Sequence, residues 1–335
     1  MFERFYGLSG SPFRLSPDPS FFYGSRGHRR ASSYLQFGLY QGEGFIVLTG
    51  EVGAGKTTLI RSLLQQLEST KLVAVQLVST QLDADSLLRA VATAFGLVVK
   101  DGDKAHLIAQ LEVFLVSLVP KGSRALLIVD EAQNLAPEAI EELRMLSNFQ
   151  LENRALLQSF LVGQPELRLL MRSSRMQQLR QRVIASYHLG PLDADETRAY
   201  IEHRMKHVGW TGDPKFEDEV FDLVHRFTGG IPRRINTLCN RTLLAGFLSE
   251  RHRIGVKDLE EVISEFNEEF GEPVPAEPAL ALDYGNPVVA DASNLVTLEE
   301  RIKGMERVMS FTVNLLRQVI GMKRSENVLE KRKAP

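Results

Sequence analysis

The chain has 335 residues, of which 44% are hydrophobic and 24% charged, and its formal net charge is −2. This length accommodates about two domains with a sizeable core, and the composition excludes a disordered chain and a strongly basic nucleic-acid-binding protein. The single cysteine, Cys239, excludes an internal disulfide framework and favours a reducing compartment.

The chain shows no pattern typical of export or of membrane insertion. The first stretch, MFERFYGLSGSPFRLSPDPS, carries charge and proline where a signal peptide needs an apolar segment. The apolar runs FIVLT and ALLIV have the length of strands, far below the roughly 20 residues that span a bilayer. We therefore expect a cytoplasmic protein, unless a partner holds it at a membrane.

The first part of the chain predicts an approach segment followed by an α/β core. Residues 1–44 are rich in Gly, Pro, Ser and aromatic side chains and end in the helical stretch HRRASSYLQFGLYQG. Residues 45–191 alternate short apolar runs with amphipathic segments, which predicts a five-stranded parallel sheet flanked by helices. The predicted strands are FIVLT, LVAVQLV, ALLIV, LLQSFLV and ASYHL, and helices are predicted from Lys56 and near 84–95, 104–118 and 137–150.

Residues 192–270 predict a small all-helical domain. Asp193 or Asp195 offers an N-cap for its first helix. The pattern breaks at WTGDPKF, TGGIPRR and ERHRIGVKD, which separate the predicted helices.

A linker and a tail are predicted beyond this domain. Residues 271–294 are rich in Pro and Ala and predict a flexible linker. Residues 295–323 carry apolar side chains at a 3-4 spacing, compatible with a coiled coil, a partner-binding helix or a helix packed on the body. Residues 324–335 form a basic tail.

The stretch GEVGAGKTT follows the first predicted strand and runs into a predicted helix, and it has the full GxxxxGK[ST] pattern of a P-loop. Glycines let the backbone amides point at phosphate oxygens, and the helix N-terminus adds a favourable dipole. Lys56 would then contact the β and γ phosphates, and Thr57 would contact magnesium. The predicted nucleotide-binding residues are Gly50, Glu51, Val52, Gly53, Ala54, Gly55, Lys56, Thr57 and Thr58.

Polar residues follow the third and fourth predicted strands. Asp130 and Glu131 end the run ALLIVDE, about 75 residues after Lys56, where Asp130 can hold magnesium and Glu131 can polarise an attacking water. Gln164 ends the next strand and can orient that water or contact the γ-phosphate. The alternative for Gln164 is a polar turn residue before Pro165.

Two arginines, Arg180 and Arg182, stand just before the fifth predicted strand. An arginine there can reach a neighbouring subunit's nucleotide as an arginine finger. A solvated helix end explains the same pattern, and the sequence leaves the two open. The basic stretch SRGHRR at 25–30 is too short for the many phosphate contacts of a nucleic-acid site, so we favour a structural or adenine-proximal role for it.

Taken together, these motifs make the chain resemble an AAA+ ATPase of the general secretion pathway A type, the ExeA-like family, over about residues 1–270. The resemblance is carried by FYGLSGSPF, PDPSFFYGSRGH, GEVGAGKTT, LLIVDEAQNL, LRMLSNFQ, LVGQPEL, LRQRV, YIEHRM and GGIPRRIN. The stretches LVSTQLDADSLLRAVATAFGL and LRQRVIASYHLGPLDADETRAYIEHRM are most similar to secretion ATPases of exosortase A, PEP-CTERM and exopolysaccharide loci.

The resemblance implies a role for each remaining site residue. It implies Gln164 as sensor 1, although Asn, Ser or Thr is commoner there, and Arg182 as the arginine finger with Arg180 as its alternative. It also implies Arg233 as the sensor 2 arginine of a helical lid, whereas Arg234 is expected to be a helix-face charge.

The expected function is hydrolysis of ATP with Mg²⁺ by a homo-oligomer that has an arginine finger in trans. The resemblance implies work in assembly or secretion for an exopolysaccharide and PEP-CTERM envelope system, with a membrane partner held through the C-terminal helix. Two alternatives stay open: a DNA-associated ATPase resembling transposition regulators, and a nucleotide-gated scaffold with little turnover.

Overall fold

The computed structural model describes residues 1–16, 18–66, 71–78, 81–99 and 104–270. The linker predicted for 271–294, the helix predicted for 295–323 and the basic tail predicted for 324–335 lie outside the described residues. Within the described ranges, no helix combines the length and the apolar character needed to cross a bilayer.

Five parallel strands form one sheet, which confirms the predicted α/β fold. The strands are β1 Phe45–Gly50, β2 Leu72–Val78, β3 Arg124–Asp130, β4 Leu157–Gly163 and β5 Val183–Leu189. Their order across the sheet is β2-β3-β4-β1-β5, so β1 lies between β4 and β5. Because all five strands run the same way, the loops after β1, β3 and β4 emerge at one edge of the sheet.

Twelve α-helices are described, and several short 3-10 turns join them. Their bounds are α1 Phe2–Phe5, α2 Arg26–Gln41, α3 Lys56–Gln66, α4 Ala84–Ala94, α5 Lys104–Leu118, α6 Pro137–Leu146, α7 Pro165–Arg172, α8 Gln177–Arg180, α9 Ala194–His207, α10 Asp218–Thr228, α11 Pro232–Leu248 and α12 Val256–Phe270. The predicted helix 137–150 ends early, because residues 150–151 and 154–155 form a short antiparallel pair around Glu152 at φ 56°.

Each face of the sheet buries every second side chain of its strands. On β1, Ile46 and Leu48 pack with α2 and α3, whereas Phe45 and Val47 pack with α4 to α7. The sheet is therefore covered on both faces, and helix N-termini are left at the edge where the strands end.

A second core joins helices α9 to α12. Asp193 rather than Asp195 caps α9, since its carboxylate accepts the amide of Glu196 at 2.8 Å. The segment before α2, predicted to lead into the α/β core, also contributes side chains to this helical cluster. The residues that join it from this segment are Phe2, Tyr6, Leu8, Phe13 and Phe21.

The chain therefore crosses between the sheet and the helical cluster twice, near residues 22–25 and near 190–193. Arg26 ties the two connections together. Its backbone N–H and its Nε donate to Glu196 Oε1 at 2.6 and 3.3 Å, and its guanidinium forms an ion pair with Asp193.

Candidate active site

The P-loop lysine starts a helix and is buried. Lys56 is the first residue of α3, and its Nζ donates to the carbonyl oxygens of Gly50 at 2.7 Å and Glu51 at 3.0 Å. Burial lowers the pKa of Lys56, and attraction to Glu131 and Asp130 opposes that shift. The ammonium is thus held inside the loop by neutral acceptors, which an anion can replace.

The first turn of α11 closes directly onto the P-loop. The backbone N–H of Arg233 donates to the Gly53 carbonyl oxygen at 3.2 Å. Gly53 has φ 84°, and a Cβ placed on it would lie 2.3 Å from the Cβ of Arg233. The structure therefore places Arg233 against the loop and among the residues that line the cavity beside it, whereas Arg234, exposed like Arg233, does not line that cavity.

Asp130 and Thr57 form an oxygen-rich pair at the end of β3. Thr57 Oγ1 donates to Asp130 Oδ2 at 3.2 Å, and Gln76 Nε2 donates to the same oxygen at 3.2 Å. Hydroxyl and carboxylate oxygens suit Mg²⁺, which usually binds proteins through one or two such groups together with phosphates and waters. Among the described residues, no group of three or more His, Cys, Asp or Glu side chains can hold a metal by itself. The pair therefore fits magnesium delivered with a phosphate ligand.

Glu131 follows Asp130 and is held by two side-chain amides. Its Oε2 accepts from Gln133 Nε2 at 2.7 Å and from Gln164 Nε2 at 3.0 Å, and Gln133 Oε1 accepts the amide N–H of Gln164 at 3.0 Å. Partial burial alone would raise the pKa of Glu131, but these hydrogen bonds and the ammonium of Lys56 outweigh burial, so the pKa is lowered. Glu131 is thus an ionised carboxylate, able to accept a proton.

Gln133 was missed by the sequence analysis. It lies in the 3-10 turn Ala132–Asn134 that follows Glu131 at φ 53°. This reversal brings the Gln133 side chain back onto the Glu131 carboxylate. The only sequence signal for this contact was the presence of a glutamine in the run DEAQN.

Lys56, Thr57, Glu131 and Arg233 line one cavity of about 210 Å³. The P-loop, Lys56 and Glu131 line one part of it, and the N-terminal segment and the helical cluster line the rest. Sequence reasoning did not single out the second part, whose residues include Phe22, Tyr23, Leu192, Tyr200, Arg204 and Asn236. A cationic, amide-rich region joined to an aromatic and aliphatic one matches a phosphorylated ligand with a flat base.

Arg180 and Arg182 are not brought to this cavity. Arg182 precedes β5, and its carbonyl oxygen accepts the amide of Phe45 at the opening of β1. The seven residues of β5 place it about 20 Å from the edge that carries the P-loop. Its guanidinium donates to Ser147 Oγ at 2.8 Å, while Arg180 donates to the carbonyl oxygens of Met171 and Ser173.

The sheet order, the P-loop and the helical cluster over it define the class: the fold is that of the AAA+ P-loop ATPases. Residues 39–171 match the family model described as an AAA domain. The chain is 40% identical over 255 residues to general secretion pathway protein A of Aeromonas hydrophila, an alignment that covers 76% of this chain and 46% of that protein. It therefore spans about half the length of the curated relative that it matches.

Solved structures show the same fold at low identity. The ORC2 protein of Aeropyrum pernix, in ADPNP-ADP complexes, is similar with a TM-score of 0.55 and 16% identity, over 71% of this chain and 66% of that one. Cdc6p of Pyrobaculum aerophilum is similar with a TM-score of 0.58 and 17% identity, over 78% and 70%.

Proposed function

We propose that this protein binds ATP with Mg²⁺ in the cavity beside the P-loop and hydrolyses it to ADP and phosphate. The observation that carries the proposal is the convergence of Lys56 and Thr57, from α3, and Glu131, after β3, on one cavity, with Asp130 hydrogen-bonded to Thr57 beside it. The choice of an adenine nucleotide is supported by the ORC2 protein of similar fold, whose structure contains ADPNP and ADP.

Each residue has a distinct part in this proposal. Lys56 and the P-loop amides bind phosphate oxygens, and Thr57 and Asp130 would hold magnesium, which would neutralise phosphate charge. Glu131 accepts the proton of the attacking water, and Gln164 orients Glu131. Arg233, in the first turn of α11, is the lid residue that would contact the terminal phosphate.

Two variants should distinguish ATP binding from ATP hydrolysis. Lys56→Ala should abolish binding of a fluorescent ATP analogue, because it removes the buried cation. Glu131→Gln should retain binding and lose hydrolysis by about 10²–10⁴-fold, the usual contribution of a general base. Hydrolysis by Glu131→Gln at the parent rate would refute the role of Glu131. Tight binding by the parent and by Glu131→Gln, with turnover by neither, would favour a nucleotide-gated scaffold.

Hydrolysis is proposed to need an adjacent subunit. The support is that Arg182, the expected arginine finger, lies too far from the cavity of its own chain to act there. A homo-oligomer that places Arg182 or Arg180 beside a neighbour's nucleotide would complete the site.

The cellular role is proposed to be assembly or secretion in an envelope system for exopolysaccharide and PEP-CTERM proteins. The support is the 40% identity to general secretion pathway protein A and the two stretches that resemble exosortase-associated ATPases. The protein would act in the cytoplasm or at the inner membrane, with residues 295–323 as the partner-binding segment.

Genetic deletion tests this role. Loss of surface exopolysaccharide, restored by the parent gene and not by Lys56→Ala, would support it. Normal exopolysaccharide in the deletion strain, together with salt-sensitive stimulation of hydrolysis by duplex DNA, would favour the DNA-associated alternative instead.

A further inference from the structure

His28 is buried against the P-loop, and nothing in the proposed reaction uses it. Its side chain is 5% exposed at the start of α2, and its Nε2 lies 3.2 Å from the carbonyl oxygen of Ala54. We infer that His28 is a positioning residue that fixes the orientation of the Ala54–Gly55 peptide, so that the Gly55 N–H faces the phosphate ligand. This inference rests on the proposed nucleotide function of the same loop.

The hydrogen bonds around His28 define which nitrogen carries the proton. Ser25 Oγ accepts the backbone N–H of His28 at 3.2 Å and lies 2.7 Å from Nδ1. Because Nε2 faces the Ala54 carbonyl oxygen, the ring proton is on Nε2, and Nδ1 accepts the proton of the serine hydroxyl. The Nε2 proton points at a carbonyl oxygen, which can only accept, so a neutral imidazole satisfies both partners. Burial lowers the pKa of His28 and keeps it in this neutral form.

Peptide geometry turns this hydrogen bond into control over the loop. The Ala54–Gly55 bond is trans, so its C=O and N–H point in opposite directions. With the carbonyl held by His28, the N–H of Gly55 is directed away from the ring. That N–H has no acceptor among the described residues, and Gly55 lines the cavity. A free amide directed into an anion site is the P-loop's binding element.

The packing of His28 also explains why position 55 has no side chain. A Cβ on Gly55, which has φ 99°, would lie 2.8 Å from His28 Nε2. The imidazole therefore occupies the space of that missing side chain. Without the ring, the peptide at Ala54 would lose both its hydrogen bond and the contact that blocks its rotation.

The test compares His28→Leu, which removes the donor, with His28→Gln, whose amide nitrogen can replace Nε2. In the absence of nucleotide, hydrogen exchange of a peptide covering residues 50–58 should become faster in His28→Leu and remain near the parent in His28→Gln. Affinity for ATP should fall about tenfold or more in His28→Leu, the effect of about 1.4 kcal/mol. His28→Gln should recover most of that affinity.

A control and two contrary outcomes complete the test. His106→Leu replaces an exposed histidine on α5 and should leave exchange and affinity unchanged. Equal exchange of residues 50–58 in the parent and in His28→Leu, or no rescue by glutamine, would overturn the positioning role. Faster exchange spread over α2, with residues 50–58 unaffected, would assign His28 to helix packing and also overturn it. If the parent binds no ATP, the proposed function fails, and the exchange result without nucleotide still decides the inference.

Discussion

Gln164 and Glu131, at the ends of two neighbouring strands, are joined by a hydrogen bond of 3.0 Å from Nε2 to Oε2. The amide of Gln133 donates to the same oxygen at 2.7 Å. Within the described part of the chain Oε1 of Glu131 accepts no hydrogen bond, so it is the oxygen available to a water. The two amides thus hold the carboxylate through Oε2 and leave Oε1 facing a position that a water can occupy.

Removal of the Gln133 amide should shift the pH dependence of hydrolysis. The amides stabilise the ionised carboxylate, so Gln133→Leu should raise the pKa of Glu131. A higher pKa means that less of the base is ionised at a given pH, and the acid limb of the kcat profile should move to higher pH. Because the pKa of Glu131 in the parent lies below the usual 4.5, steady-state rates have to be measured from about pH 3 to about pH 7 to show the shift.

The control for this prediction is Gln36→Leu, an exposed glutamine on α2 whose loss should leave the profile unchanged. An acid limb for Gln133→Leu that coincides with the parent's would contradict a role of Gln133 at Glu131.

The hydroxyl of Thr57 should be required for the effect of magnesium. Thr57→Val has a similar shape but lacks the oxygen that donates to Asp130. Nucleotide affinity in EDTA should match the parent, while the gain in affinity on adding Mg²⁺ should shrink on the order of 10–100-fold. Titration calorimetry with and without Mg²⁺ measures both values.

Thr57→Ser keeps the hydroxyl and is the matched control for that experiment. A full magnesium effect in the valine variant would remove Thr57 from the metal site.

Arg182 should act on the cavity of a neighbouring subunit. Neither Arg182→Ala nor Lys56→Ala alone should hydrolyse ATP at more than a small fraction of the parent rate. A mixture should recover activity, because some interfaces then pair an intact cavity with an intact arginine. Rates are measured on mixed oligomers verified by native mass spectrometry, and the absence of recovery would argue against action in trans.

Gly38→Ala should destabilise the fold although alanine favours helices. A Cβ on this residue of α2 would lie 2.2 Å from Cδ1 of Ile46, a core side chain of β1 that is 1% exposed. Overpacking costs about 1–3 kcal/mol, and the gain in helix propensity returns at most about 1 kcal/mol. The free energy of unfolding in urea should therefore fall by about 1–2 kcal/mol.

Gly27→Ala, in the same helix, meets neighbours only at 3.6 Å and beyond and should keep the parent stability. Equal stability of both alanine variants would mean that Ile46 moves aside at no cost.

The fold could be predicted from the sequence because its signals are local. Each strand was an apolar run of the right length, and the P-loop pattern stood between one such run and a helix. Lys56, Thr57, Asp130 and Glu131 could be proposed together as site residues because their positions follow directly from those elements.

The rest of the site depends on contacts that a local pattern does not contain. Gln133 reaches Glu131 only because the chain reverses at a left-handed residue. His28 and Tyr200 line the cavity because the N-terminal segment and the helical cluster fold over the P-loop from distant parts of the chain. The packing of Phe2, Tyr6 and Phe13 into the helical cluster could not be predicted, because only tertiary packing decides which apolar surface such side chains cover.

The paired connections between the sheet and the helical cluster limit how the cavity can open. A domain joined by one connection can rotate in any direction. Two neighbouring connections restrict the helical cluster chiefly to rotation about the line that joins them. Arg26 holds those two links beside each other through its contacts with Asp193 and Glu196, so the axis passes close to Arg26. The helical cluster also contacts the P-loop through the hydrogen bond from the Arg233 backbone N–H to the Gly53 carbonyl oxygen, which opening of the cavity would break. We therefore expect any opening of the cavity to be a rotation of the helical cluster about this axis, with the smallest displacement beside Arg26.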